Sequence, residues 1–149
     1  LCPDRLDQNS DGFAPFEVTS GWPEEKPDVD IIIVDMTPST TDVPQGTVVL
    51  PYQPTRLSYG VVPKHLPKLE KENLKIVQVV SMVDRRKEEH RTFTLDKVKN
   101  ENAKVIAQRS IYERVAGLGR TVFDPALKGM YGIREAKKEM TELFLEASK

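Results

Sequence analysis

The sequence predicts an α/β fold, a mostly parallel sheet with helices on both faces, and three observations carry the prediction. Nearly continuous β-branched apolar runs recur along the chain, helix-period segments lie between them, and the first run ends in a carboxylate. Continuous rather than alternating apolar runs suit strands buried on both faces. Strands that alternate with helices suit right-handed parallel crossovers.

Taken in order, residues 1–26 are rich in Pro, Asp, Asn and Gly, with a short apolar run around Phe13, Phe16 and Val18, and read as a loop with room for one short edge strand. Residues 29–35, VDIIIVD, predict the first buried strand. A second is expected at 47–50, stopped by Pro51, a third at 75–82 and a short fourth at 103–107. Apolar residues at 57, 61, 62, 66 and 69 follow a helical period over 57–73, while Pro63 and Pro67 argue that this helix starts late or breaks. Residues 86–102 are charged with a thin apolar stripe of Phe93, Leu95 and Val98, which predicts a surface helix. The clearest helix is the last. Ile133, Ala136, Met140, Leu143, Phe144 and Ala147 make one apolar face, with Lys137, Lys138, Glu139 and Glu142 outside it. One connection fits poorly: eleven residues with two prolines separate Asp35 from Thr47, where parallel strands need a crossover of about a dozen or more.

Composition bounds the function. The 149 residues, 38% apolar with a net charge of -1, describe one soluble domain spanning 1–149, without internal repeats. No run approaches the roughly 20 apolar residues of a membrane-spanning helix. Cys2 is the sole cysteine and His65 and His90 the only histidines, so a disulfide framework or a Cys/His metal centre lacks material, and a reducing, cytoplasmic compartment is expected. The neutrality conceals a polarity. Residues 1–63 hold three basic and ten acidic side chains, and residues 64–149 hold nineteen and thirteen. A basic half suits phosphate contacts with nucleic acid, although interleaved charges such as Glu70-Lys71-Glu72 also suit ordinary solvated helix faces.

The segment VDIIIVDMTPST places Asp35 where a strand would end, with the hydroxyls of Thr37, Ser39 and Thr40 just beyond. Ligands of open parallel sheets bind beyond the carboxyl ends of strands, so Asp35 stands where a magnesium-phosphate ligand is expected. The plainer reading is an Asp that starts the next turn.

Several segments in order extend the signal: VDIIIVDMTPST, VVLPYQPTRLSYG, LKIVQVVSMVDRRKEEHR, KVIAQRSIYERVAGLGRTVFD and the terminal amphipathic helix. Together, over about residues 28–147, they resemble the ParA family of deviant Walker ATPases, the plasmid and chromosome partition proteins, a P-loop NTPase-like class. The resemblance implies that Asp35 is the Walker B acid near Mg²⁺, holding it through water, and that Thr37 and Pro38 lie in the switch-like turn after it. It also implies that Met82, Asp84 and Arg85 lie near the adenine of ATP, with Gln108, Arg109 and Ser110 approaching from the other side. Their ordinary structural roles would be a core methionine, a strand-end cap and a solvated arginine. Met36 and Ser39 depart from the family's usual wording of the turn.

The departures are as informative as the matches. The family's P-loop holds phosphates with backbone N–H groups and a lysine. None of the eight glycines precedes Lys-Ser or Lys-Thr at that spacing. The expectation is therefore an N-terminally incomplete ATPase whose P-loop strand, by family analogy the neighbour of the Walker B strand, lies outside these residues. The resemblance implies a nucleotide-dependent homodimer that binds DNA nonspecifically and a centromere-binding partner protein that stimulates hydrolysis. By region, the resemblance puts DNA contacts among Arg86, Lys87, Arg91, Lys97 and Lys99, and Arg134, Lys137 and Lys138. A nitrogenase-type iron protein lacks its cluster cysteines here, and the glutamates of the last helix suit a core-docked helix better than a membrane anchor. Three functions stay open: a ParA-type partition ATPase, a related ATPase positioning another cargo, and a noncatalytic interaction module.

Overall fold

The computed structural model describes residues 21, 25, 28–36 and 45–149. The chain divides into two compact units, Leu1–Pro44 and Gln45–Lys149. The α/β fold expected across 1–149 lies, among the described residues, within the second unit. Its strands are β1 (Thr47–Tyr52), β2 (Lys75–Val83) and β3 (Lys104–Ala107), all parallel, in the order β1-β2-β3.

The helices follow from local chemistry. Thr55 caps α1 (Arg56–Tyr59) by accepting from the Ser58 N–H. A fresh start with proline in the first turn gives α2 (Val62–Lys71), which tolerates Pro67 inside it. The break expected from the two prolines is present as the gap between α1 and α2. Next come α3 (Glu88–Glu101), α4 (Ser110–Gly117), a 3₁₀ turn at Pro125–Leu127 and α5 (Ile133–Ala147). The α4 helix is not among those expected from hydrophobic period.

Register explains the core. Tyr52 stands opposite Val80, and Val80 opposite Val105, so these residues share a face; Tyr52, Val80 and Val83 pack with Val62 and Ala103, against Tyr59, Leu66 and Phe93. Val77 and Val79, of opposite parity on β2 to Val80, are buried too, so both faces of the strand are covered. A second cluster joins Ile111 and Val115 of α4 to Val122, Leu127, Ile133 and Ala136.

Three expectations need correction. Residues 29–36 form no strand, and Ile33 is 87% exposed, so the VDIIIVD run has the composition of a buried strand without, among the described residues, a paired neighbour. Asp35 therefore does not end a strand, and the short crossover to Thr47 is no longer a difficulty. Pro51 does not stop β1, which continues to Tyr52. As an edge strand, β1 can carry a residue that lacks an N–H. On α3 the buried residues are Thr94 and Lys97, while Leu95 and Val98 are exposed. Of the expected apolar stripe only Phe93 packs against the core, and Thr94 and Lys97 are buried in place of Leu95 and Val98.

Candidate functional site

Val83 and Ala107 end β2 and β3 as register partners, so the loops that follow leave the sheet side by side. The Gln108 N–H donates to the Val83 carbonyl at 2.9 Å and ties the two loops together. An open cleft of about 590 Å³ lies there. Val83, Asp84, Arg85 and Arg86 line one side, Ala107, Gln108, Arg109 and Ser110 the other, with Glu113 of α4 and Tyr131 completing it. This is the carboxyl end of a parallel sheet, where α/β folds place ligands. A neighbouring depression of about 500 Å³ shares Ser110, Glu113 and Tyr131 and adds Ile111 and Arg114.

Asp84 is a strand-end cap. Its Oδ1 accepts from the Arg86 N–H at 3.0 Å, and the Arg86 guanidinium forks onto both carboxylate oxygens at 3.0 and 3.1 Å. The Arg86 side chain and its backbone N–H together hold the Asp84 pKa down at about 2. The Asp84 N–H donates to His90 Nδ1 at 3.1 Å, fixing the loop to α3. Just before it, Met82 has φ 55, and the β2–β3 register slips between Val80 and Val83, as a bulge does when it re-aims a strand end.

A buried carboxylate holds the loop after β3. Glu139 of α5, 8% exposed, accepts from Arg109 Nη2 at 2.8 Å, Arg109 Nε at 3.2 Å, the Tyr112 hydroxyl at 3.0 Å and the Ala107 N–H at 3.3 Å. Arg85 Nη2 lies 3.7 Å from the same carboxylate. The bond to Glu139 raises the Arg109 pKa. Burial first, then the Glu139 carboxylate, push up the Tyr112 phenol. Arg109 is thereby held in place at the cleft wall. Arg85, with 67% of its side chain exposed, remains open to a ligand beside exposed Gln108 and Ser110.

Of the residues expected around a nucleotide, Asp84, Arg85, Gln108 and Arg109 come together in this cleft. Met82, 47% exposed, is not among the residues lining it. Asp35 is exposed and belongs to the first unit, while Thr37 and Pro38 lie outside the described residues. Among the described residues no three His, Cys, Asp or Glu side chains group as a metal would require. Asp35 offers one exposed carboxylate, and the hydroxyl-bearing turn that follows it lies outside the described residues.

The basic set expected at DNA divides. Lys87, Arg91, Lys99, Arg134 and Lys138 are exposed and Lys137 half-buried; Arg86 is exposed but paired with Asp84, and Lys138 lies 3.8 Å from Glu142. Lys97 is buried. Its Nζ lies 2.6 Å from Glu101 Oε1 and 3.7 Å from the centre of the Tyr59 ring. Burial opposes its charge, but the bonds to Glu101 and Tyr59 outweigh that and leave its pKa raised. A side chain so enclosed lacks the exposure a phosphate contact needs, which corrects its inclusion among the surface cations.

Glu113 and Tyr131 of the lining, and Glu139 that holds Arg109 to it, are not anticipated. Glu139 had a readable signal. It follows Ile133 and Ala136 at successive spacings of three, on the stripe that enters the core, where a carboxylate calls for a cation. Tyr131 had none.

Compared with family models, curated proteins and solved structures, the chain matches none. Among the described residues no helix is long and apolar enough to cross a membrane.

Proposed function

We propose that the chain recognises ATP at the cleft beyond β2 and β3, as part of a ParA-type partition ATPase of the cytoplasm. One observation supports this reading. The segments 82–85 and 108–109, which the resemblance assigns to opposite sides of the adenine, contribute Asp84, Arg85, Gln108 and Arg109 to a single cleft. In the same reading Asp35 is the water-mediated Mg²⁺ ligand, nucleotide drives homodimerisation, and the exposed cations bind DNA nonspecifically while a centromere-binding protein stimulates hydrolysis. The phosphate-holding P-loop has no counterpart in these 149 residues, so the part proposed for the cleft is recognition of the nucleotide.

Titration of the chain with ATP and Mg²⁺, followed by calorimetry, tests the proposal. Saturable binding that weakens about tenfold in Gln108→Ala and Arg85→Ala is expected from the loss of polar contacts to the ligand. Absence of saturable binding would overturn it. A second reading, a noncatalytic interaction module, has one observation in its favour: Asp84 and Arg109 are already engaged by Arg86 and Glu139. The same titration separates the two.

A further inference from the structure

A tyrosine in full solvent is unremarked when it sits on a mobile loop far from any cavity, because single exposed aromatics are common. Tyr131 is different in both respects. It is 97% exposed, and it borders both depressions beside the strand ends. Its backbone is also held closely. The Met130 N–H donates to the Leu127 carbonyl at 2.9 Å, and the Ile133 N–H to the Met130 carbonyl at 3.2 Å. Gly132 then turns the chain with φ 80 into α5, and Ile133 anchors the turn at 2% exposure. The turn is therefore tied down while its largest side chain stays outside the core.

We infer that Tyr131 is a stacking surface for the base of a nucleotide bound in the cleft. This inference rests on the nucleotide reading above. A phenol ring gives a planar apolar face to a heterocycle, and such stacking tolerates any base, so hydrogen bonds from Gln108 and Ser110 would have to supply discrimination. Arg85 stands nearby as an exposed guanidinium with donors for the edge of the same base. The ring makes no core contact that its loss could break, so truncation leaves the fold intact.

The test compares the wild-type chain with Tyr131→Ala, Tyr131→Phe and Tyr131→Trp, using adenosine and ATP as separate probes in calorimetry and, for the tryptophan variant, fluorescence. Tyr131→Ala should weaken adenosine and ATP by the same factor, about tenfold. Tyr131→Phe should retain binding, since the ring face and not the hydroxyl makes the contact. The new tryptophan should be quenched when adenosine binds, and thermal midpoints should match across the set. Wild-type affinity for adenosine in Tyr131→Ala would overturn the stacking role and leave the nucleotide reading standing, as would loss confined to ATP. Failure of the wild-type chain to bind either probe would overturn both.

Discussion

Arg109 Nη2 donates to Glu139 Oε1 at 2.8 Å and so joins the end of β3 to the middle of α5, thirty residues away in sequence. The bond does two jobs. It neutralises a buried carboxylate, and it holds the guanidinium that forms part of the cleft wall.

Removal of that carboxylate leaves Arg109 without its acceptor and Tyr112 with only the longer bond to the Ala136 carbonyl at 3.4 Å. Glu139→Ala is expected to destabilise the chain by about 3 kcal/mol, the scale for breaking a buried ion pair from one side. Glu139→Gln, which keeps an acceptor but not the charge, should cost less. Urea unfolding checks this, read as a lower midpoint at unchanged slope.

What was legible in the sequence follows from which physical signals are local. The β2 run around Val77, Val79 and Val80 reads as a strand buried on both faces, and it is one, because its neighbours β1 and β3 are supplied by similar runs. The run at 29–35 has the same composition, yet it forms no strand, because composition specifies a preference and pairing must be supplied from elsewhere. On α5 the apolar stripe correctly finds Ile133 and Ala136, but it places Glu139 outside and Phe144 inside; Glu139 is buried and Phe144 is 49% exposed. Periodicity weighs apolarity, whereas Glu139 is drawn in by Arg109 and Tyr112 across the fold. The cleft was half legible for the same reason: two loops came from segment order, while Glu113 and Tyr131 arrive through tertiary placement.

Lys97 separates structural from surface cations. Lys97→Ala should destabilise by about 2 kcal/mol, since it strips Glu101 of a charged partner and leaves the Tyr59 and Phe93 rings without their cation. Lys99→Ala and Lys87→Ala should leave stability within about 0.5 kcal/mol of wild type. If these two contact phosphate, each also lowers the slope of DNA affinity against salt by about one. Thermal unfolding and DNA titrations across salt concentrations measure the two effects separately.

The carboxylates of Asp84 and Asp124 give acid sensitivity. Asp84 is held down chiefly by its Arg86 bonds, and Asp124 first by the Ala126 N–H and then by Arg120. A carboxylate pKa lowered by folding adds stability that is present above the unfolded value and lost as pH falls through the folded one. For Asp84 that window runs from about 4 down to about 2. Thermal midpoints should fall across it, and Asp84→Asn or Asp124→Asn should flatten the fall. Salt should shrink the Asp84 share, which rests on a side chain of Arg86 in solvent, more than that of enclosed Asp124.

Gly132 carries the turn on which Tyr131 stands. Its φ of 80 disfavours any side chain, and a Cβ there would meet only Ile111 at 3.7 Å, an ordinary contact. The Gly132→Ala penalty is therefore backbone strain alone, about 1 kcal/mol, measurable by urea unfolding.

Everything proposed for the cleft depends on a nucleotide held between the ends of β2 and β3. Backbone amide shifts recorded by NMR as ATP and Mg²⁺ are added to the ¹⁵N-labelled chain test it most directly. Saturable changes are expected to concentrate at residues 83–86 and 107–110 and at Tyr131. Saturating nucleotide that leaves those amides unmoved, or that moves only amides of α2, none of which lines the cleft, would overturn it.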